Sequence, residues 1–390
     1  MDFAFTAEDD AFRAEARQWL AARVPGASDR RAWEKELGAA GWIGIGWQTG
    51  GYGNRTASLT QQVVWAEEYV RSGAPHRMGH IGERLLAPTL IAHGSPEQRD
   101  RFLPPVARGE ELWCQGYSEP GAGSDLAGLR TAAVRSGSGG EYRITGQKIW
   151  TSLAHEAQWC FVLCRTEPDS ARHRGLSFLL VEMDQPGRIE VRPIRQMTGE
   201  SDFNEVYFDG AVARAEHVVG GEGNGWSVAM SLLAVERGVS TLAQQVGFAA
   251  ELRAVADCAV ATGAVADPVL REGIERAWAE LKVMRWNAMR TLGSAGAVRP
   301  GAVAPGGVSV PGAASVAKLL WAGWHQRLGE LSVAVRGAAG AAGPGVWSAS
   351  DPYAVDEAQH RLLFSRADTI YGGSNEVQRG ILARRVLGLS

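Results

Sequence analysis

Within SLLAVERGVS (231–240) a carboxylate, Glu236, stands in an apolar run. At 100° per residue it shares a helix face with Ala229, Leu232, Leu233, Ala243 and Gly247, none of them charged. A carboxylate placed there loses hydration, which raises its pKa and its strength as a base. Two uses fit. Arg237 neutralises it as a buried ion pair, or it takes a proton from something the small neighbours admit. YSEPGAGSD (117–125) offers a second chemistry. Gly121 and Gly123 let the backbone come close to a ligand, and Ser118 and Ser124 supply hydroxyls, although an ordinary turn has the same composition. ITGQKIWTS (144–152) ends in Trp150, Thr151 and Ser152. An indole beside two hydroxyls suits a flat heteroaromatic ring; a tryptophan filling the core is the alternative. In TIYGGSNEVQRGILARRVLGL (369–389) two glycines precede Ser374, a plausible N-cap, and Glu376 falls in the first turn, where the helix dipole favours an acid.

Other chemistries find little support. The chain has 390 residues, 45% hydrophobic and 21% charged, with a net charge of −3. There is no surplus of Lys and Arg for nucleic acid, and no basic cluster for a membrane surface. No apolar run reaches the roughly 20 residues that span a bilayer. The start mixes acids and bases at helical spacing and lacks the apolar core of a secretion signal. Cys114, Cys160, Cys164 and Cys258 are too scattered for a disulfide framework. Cys160 and Cys164 would lie roughly 13 Å apart on one strand face, too far to chelate one metal. His76 and His80 are spaced i,i+4 but lack an adjacent Glu, so no metal is expected. GWIGIGWQTGGYG (41–53) follows a helix and misses the dinucleotide spacing. These features predict a cytoplasmic, metal-free protein.

The elements that must position these residues follow from periodicity. Apolar positions three or four apart predict helices over 7–24, 31–40, 56–71 and 80–93, and Ser95 and Pro96 start another. Short β-rich runs at 141–150, 159–165, 176–183, 189–194 and 204–210 are separated by SGSGG and DQPGR, which suggests a small sandwich or barrel. Helical periodicity returns over 226–262, 267–293, 313–336, 355–369 and 375–387, interrupted by a Gly- and Pro-rich loop at 293–313. The expected class is α+β, with a helical domain at 1–111, a β domain at 112–222 and a helix bundle at 223–390.

Five segments in register carry a resemblance: YSEPGAGSDLAGLRTAA, ITGQKIWTS, MTGESDFNEVYFDG, GNGWSVAMSLLAVERG and IYGGSNEVQRGILARRVLGL. Together they resemble the acyl-CoA dehydrogenase family over residues 30–389. WCQGYSEPGAGSD, KIWTS and AVERG look closest to the actinobacterial subgroup that handles steroid side chains and other bulky acyl groups. The resemblance implies an N-terminal helical domain, a middle β-barrel, a C-terminal four-helix bundle and bound FAD. By position, Tyr117, Ser118, Gly123, Ser124, Trp150, Thr151 and Ser152 would hold the flavin and its phosphates, and Ser374 would meet it from the C-terminal segment. The implied reaction is α,β-desaturation of an acyl thioester, with hydride passing to flavin N5. One branch of the family carries its base in Tyr-Glu-Gly near the C-terminus. Here that stretch is Tyr371-Gly372-Gly373, and Glu376 is out of register. Another branch carries the base directly before an Arg of the bundle helix, which is Glu236. Gly372 would keep the backbone N–H that steadies the thioester oxygen.

Some family features are missing. TGAVADPVLREG (262–273) lacks Arg-x-x-Phe-Gly, VAVRGAAGAAG (333–343) lacks Gln-x-x-Gly-Gly-x-Gly, and FDGAVAR (208–214) replaces a Val-Pro segment. The first two reach the FAD of a neighbouring subunit in relatives, so three readings of the assembly and activity stand. The first is an acyl-CoA dehydrogenase, homodimeric or homotetrameric, that passes electrons to an electron-transfer flavoprotein and takes a CoA or acyl carrier protein thioester. The second is a flavin monooxygenase or nitroalkane-oxidase-like relative. The third is a non-catalytic partner in a mixed tetramer with a homologous subunit.

Overall fold

Thr6 opens the first helix, α1 (Ala7–Arg23), by a reciprocal cap: its hydroxyl accepts from the Asp9 N–H, and the Asp9 carboxylate accepts from the Thr6 N–H. Asp29 caps α2 (Arg30–Ala39), and Ser58 with Gln61 repeats the reciprocal cap at α3 (Leu59–Arg71). A π turn, Gly82–Leu86, leads into α4 (Ala87–His93), and Ser95 with Gln98 caps α5 (Pro96–Ala107). Helices α1 to α3 enclose Trp33, Trp42 and Trp65, with Trp42 and Trp65 stacked at 4.2 Å. The computed structural model describes residues 5–47, 51–137, 140–170, 172–235, 240–296, 312–343, 349 and 354–389.

Eight strands follow: β1 (Trp113–Gly116), β2 (Ala132–Arg135), β3 (Glu141–Ser152), β4 (Trp159–Arg165), β5 (Leu176–Glu182), β6 (Ile189–Ile194), β7 (Phe203–Arg214) and β8 (Val218–Val219). They form one sheet in the order β6-β7-β3-β2-β4-β5-β8, with β1 parallel beside β4. The five expected strands are present; β1, β2 and β8 were not expected. The sheet curls, so that β5 approaches β7 without pairing to it. Cys160, Val162, Leu179 and Val181 point inside the curl with Tyr142, Ile144, Val206 and Phe208. The alternate residues Phe161, Leu163, Phe178 and Leu180 pack outward on Leu86, Leu90 and Phe102 of the helices. Strand β4 is therefore covered on both faces, which explains why WCFVLCR shows no polar alternation.

The C-terminal part contains α6 (Gly225–Val235), α7 (Ser240–Thr262), α8 (Pro268–Gly296), α9 (Ala313–Ala334), α10 (Ala338–Ala342), α11 (Glu357–Ser365) and α12 (Asn375–Ile381). Helix α6 packs Val228, Ala229 and Leu232 against the sheet-and-helix core. Helices α7, α8 and α9 form a core of their own around Phe248, Leu252, Leu281, Met284, Trp324 and Leu328. Buried Glu67 of α3 ties the two ends of the chain: Arg13 of α1 lies 3.0 Å from its carboxylate and Arg285 of α8 lies 2.5 Å away. Among the described residues no helix is long and apolar enough to cross a membrane.

Candidate functional site

The antiparallel pairing of β3 with β7 runs regularly from Thr145↔Asp209 to Lys148↔Val206, then shifts so that Thr151 meets Asn204. In this bulge Ile149 and Trp150 of β3 stand against the single residue Glu205 of β7. Trp150 takes φ +60°, a left-handed conformation that costs an L-residue about 1–2 kcal/mol. Its indole is left 57% exposed, edge-on to Phe203 at 6.2 Å between ring centres. Thr151 is fully buried, and its Oγ1 has no hydrogen-bond partner. Ser152 is half-buried. Trp150 is thus a surface platform, so the core alternative open at the sequence level does not apply.

A buried ion pair sets the glycine-rich loop against this strand. Lys148 Nζ donates to Glu119 Oε1 and to the Tyr117 carbonyl, each at 2.9 Å. Glu119 also accepts the backbone N–H groups of Arg130 at 2.7 Å and Thr131 at 2.8 Å, closing the loop at its far end. The Ser118 carbonyl accepts from Ile149 N–H at 2.9 Å. Burial pushes the Lys148 ammonium down. At Glu119, burial alone would raise the carboxyl, but Lys148 and the N–H donors outweigh it and hold the group below the usual carboxylate range. The Tyr117 ring packs edge-on to Phe161 and Phe178 in the core, so its backbone, rather than its ring, belongs to the loop surface. Gly123 and Ser124 are exposed, and a Cβ built on Gly121 or Gly123 would meet open space.

A second polar centre holds the C-terminal turn. The His325 ring lies between Asp368, 2.5 Å from Nδ1, and Glu251, 2.9 Å from Nε2. Lys318 Nζ donates to the Asp368 carbonyl, and the Tyr371 hydroxyl donates to Asp368 Oδ1 at 2.7 Å. Gln378, fully buried, donates Nε2 to the carbonyls of Gly372 at 3.1 Å and Gly373 at 3.3 Å. Gly372 sits at φ +64° and Gly373 at φ +83°, where a Cβ on Gly373 would strike Gln378 at 2.6 Å. Ser374 caps α12 through the Val377 N–H, as its position predicted. The exposed Glu376 carboxyl is held below its ordinary range by its own N–H and the Ser374 hydroxyl, a capping role.

Tyr117, Ser118, Trp150, Thr151 and Ser152 therefore belong to one neighbourhood. Among the described residues no hydrogen bond or ring contact joins Gly372 or Ser374 to Trp150 or Thr151. Glu236 and Arg237 lie outside the described residues. Sequence reasoning passed over Glu119 and Lys148, although both stand inside quoted motifs. The alternation Tyr142, Ile144, Gly146, Lys148 puts that lysine on the inward face of β3, a signal that it needs a buried acid.

Helices, a curled sheet and a helix bundle thus follow one another along the chain, with an exposed indole where loop and sheet meet. Family models for the acyl-CoA dehydrogenase N-terminal, middle and C-terminal domains match residues 6–110, 114–211 and 223–387. The chain belongs to the acyl-CoA dehydrogenase family. It is 48% identical to the acyl-CoA dehydrogenase IpdE1 of Mycolicibacterium smegmatis, over 97% of both chains. Among solved structures it is similar to the Tcur3481-Tcur3483 steroid ACAD, at 29% identity and a TM-score of 0.83 over the whole of each chain. It also resembles the ChsE4-ChsE5 complex from Mycobacterium tuberculosis, at 30% identity and a TM-score of 0.79, again over the whole of each chain.

Proposed function

We propose that this chain binds FAD and desaturates an acyl-CoA thioester between its α and β carbons, with Glu236 as the base. The observation that carries the reading is the bulge at the end of β3. A strained backbone holds the Trp150 indole out to solvent beside a buried hydroxyl, Thr151 Oγ1, that no protein group satisfies. Strain of this kind persists where it serves a site, and a flat cofactor with a polar edge would use both features. Ser152 would add a hydroxyl beside the ring. Ser118, Gly123 and Ser124 would receive the rest of the cofactor, with Tyr117 contributing backbone and Ser374 approaching from the C-terminal segment. The FAD, when bound, supplies the acceptor for the β hydride.

The remaining work falls to the protein. Glu236 takes the α proton onto its carboxylate; its apolar sequence neighbours strengthen it as a base. The Gly372 N–H donates to the thioester oxygen as charge builds there, and the His325–Asp368–Tyr371 network together with Gln378 keeps its turn in place. Electrons would pass on to an electron-transfer flavoprotein. The test is Glu236→Gln. The variant is expected to hold flavin and bind thioester yet fail to bleach the oxidised flavin band under anaerobic conditions; bleaching at the wild-type rate would remove Glu236 from the mechanism.

A second reading, that the chain completes its site only with a homologous subunit, has its own support. Trp278 and Trp286 of α8 are 59% and 58% exposed, an apolar surface unusual for a chain that acts alone. One of the similar structures is a complex of two differently named chains. Flavin content near one per chain in the protein purified alone favours the first reading. Content that rises only on co-expression with a homologue favours the second.

A further inference from the structure

Leu153, like Trp150, takes left-handed backbone at the end of β3, at φ +55° against +60°. Neither is glycine, and such conformations persist only where the surroundings impose them. The residue between them is held from the neighbouring strand. Asn204, opposite Thr151 in the register and without solvent exposure, donates Nδ2 to the Thr151 carbonyl at 3.0 Å. Packing does little to hold the indole itself, which is 57% exposed and meets Phe203 edge-on at 6.2 Å. The place of Trp150 is therefore set through its backbone, and Asn204 grips that backbone one residue on.

A carboxamide has one donating end and one accepting end. With Nδ2 given to a carbonyl, Oδ1 faces away from it and meets His155 Nδ1 at 3.2 Å. The ring then carries a proton on Nδ1, because two acceptors cannot face each other. His155 belongs to the turn that closes behind Leu153. There Glu156 gives its N–H to the Leu153 carbonyl at 3.0 Å, and Leu153 gives its own to the Asp202 carbonyl at 2.9 Å. The bonds from His155 to Asn204 to Thr151 thus leave this turn, cross to β7 and return to the residue that follows Trp150.

We propose that Asn204 is a positioning residue: through the Thr151 carbonyl, and oriented by His155, it holds the Trp150 indole outward to receive the flat cofactor. The inference rests on the flavin reading above and does not depend on Glu236. An aspartate at 204 would keep the volume and still accept from His155, but would offer the Thr151 carbonyl no hydrogen. A clasp on His155 alone would survive that change; a grip on Thr151 would not.

The test titrates FAD into the deflavinated enzyme, taken from the chain expressed alone or with a homologous subunit, whichever preparation carries flavin. Asn204→Asp is expected to weaken FAD binding about tenfold and to alter the visible circular dichroism of the bound flavin. Trp150→Ala should weaken binding at least as much. The double variant should match Trp150→Ala within about twofold, because without the indole Asn204 has nothing left to position. His155→Phe, at an exposed position, should weaken binding in the same direction by about threefold. In flavin-free protein labelled with fluorotryptophan, the resonance missing from Trp150→Phe belongs to Trp150. It should shift or broaden in Asn204→Asp while the other tryptophans keep theirs. Effects that multiply in the double variant would overturn the inference, as would wild-type affinity in Asn204→Asp; both leave the flavin reading intact. If Asn204→Asp does not fold, His155→Phe combined with Trp150→Ala decides by the same rule. If no preparation carries FAD, the flavin reading itself fails and takes this one with it.

Discussion

Lys148 and Thr151 lie three residues apart on β3 with no solvent exposure, and their polar atoms meet opposite fates. The lysine is engaged by Glu119 and a carbonyl, whereas the threonine hydroxyl has nothing. A buried pair is costly to break from one side, because the survivor keeps its charge without a partner. Lys148→Met should therefore destabilise the fold by about 3–5 kcal/mol in urea titration. Adding Glu119→Gln should recover a large part of that loss, since no charge then remains buried. A double variant no better than the single one would mean that the lysine's packing, rather than its charge, holds the loop. Neither residue drew notice in the sequence. Their partnership spans 29 positions, and no local pattern encodes a contact that forms only when the sheet curls.

At the scale of elements, His325 joins α7, α9 and the turn after α11 through two carboxylates. Burial alone would lower its pKa, but Asp368 and Glu251 outweigh burial and raise it to about 9. An unfolded histidine releases its proton near 6.5, so the charged ring stabilises the bundle in full below that pH. The contribution fades as pH rises through about 9. Melting temperatures between pH 7 and 10 should fall more steeply in the wild type than in His325→Gln; parallel curves would show that the ring is neutral throughout. Helices were the most legible elements. Ser95 with Pro96 and Ser374 announced their caps, and the 3.6-residue period of the first 110 residues survives in α1 to α5. The missed strands β1 and β2 are four residues long, and β1, WCQG, is buried or half-buried along its whole length, so neither length nor alternation marks it. The π turn was legible in principle, since Pro88 was in plain view, but a helical period says nothing about a one-residue surplus. The base proposed from AVERG rests on sequence position and family likeness alone.

For the whole molecule, the arrangement of cores matters more than their size. One core joins α4, α5 and α6 to the outer side of β4 and β5; another fills the curl on their inner side. A third lies within the bundle, and Glu67 with its arginines from α1 and α8 bridges the first helices to it. Among the described residues the bundle core contains no residue of the sheet or of α4 to α6, so the bundle can loosen while these stay together. Strands β4 and β5, by contrast, have no face of their own to give up. In heavy water this difference becomes a clock. Amides of residues 160–164 and 177–181 should take up deuterium last, and only as fast as the whole chain opens, while those of α8 exchange earlier through partial opening. Between those two rates lies the interval in which the sheet and its helices stay fixed while the bundle breathes, and that interval bounds how slowly a guest could enter without the whole chain coming apart.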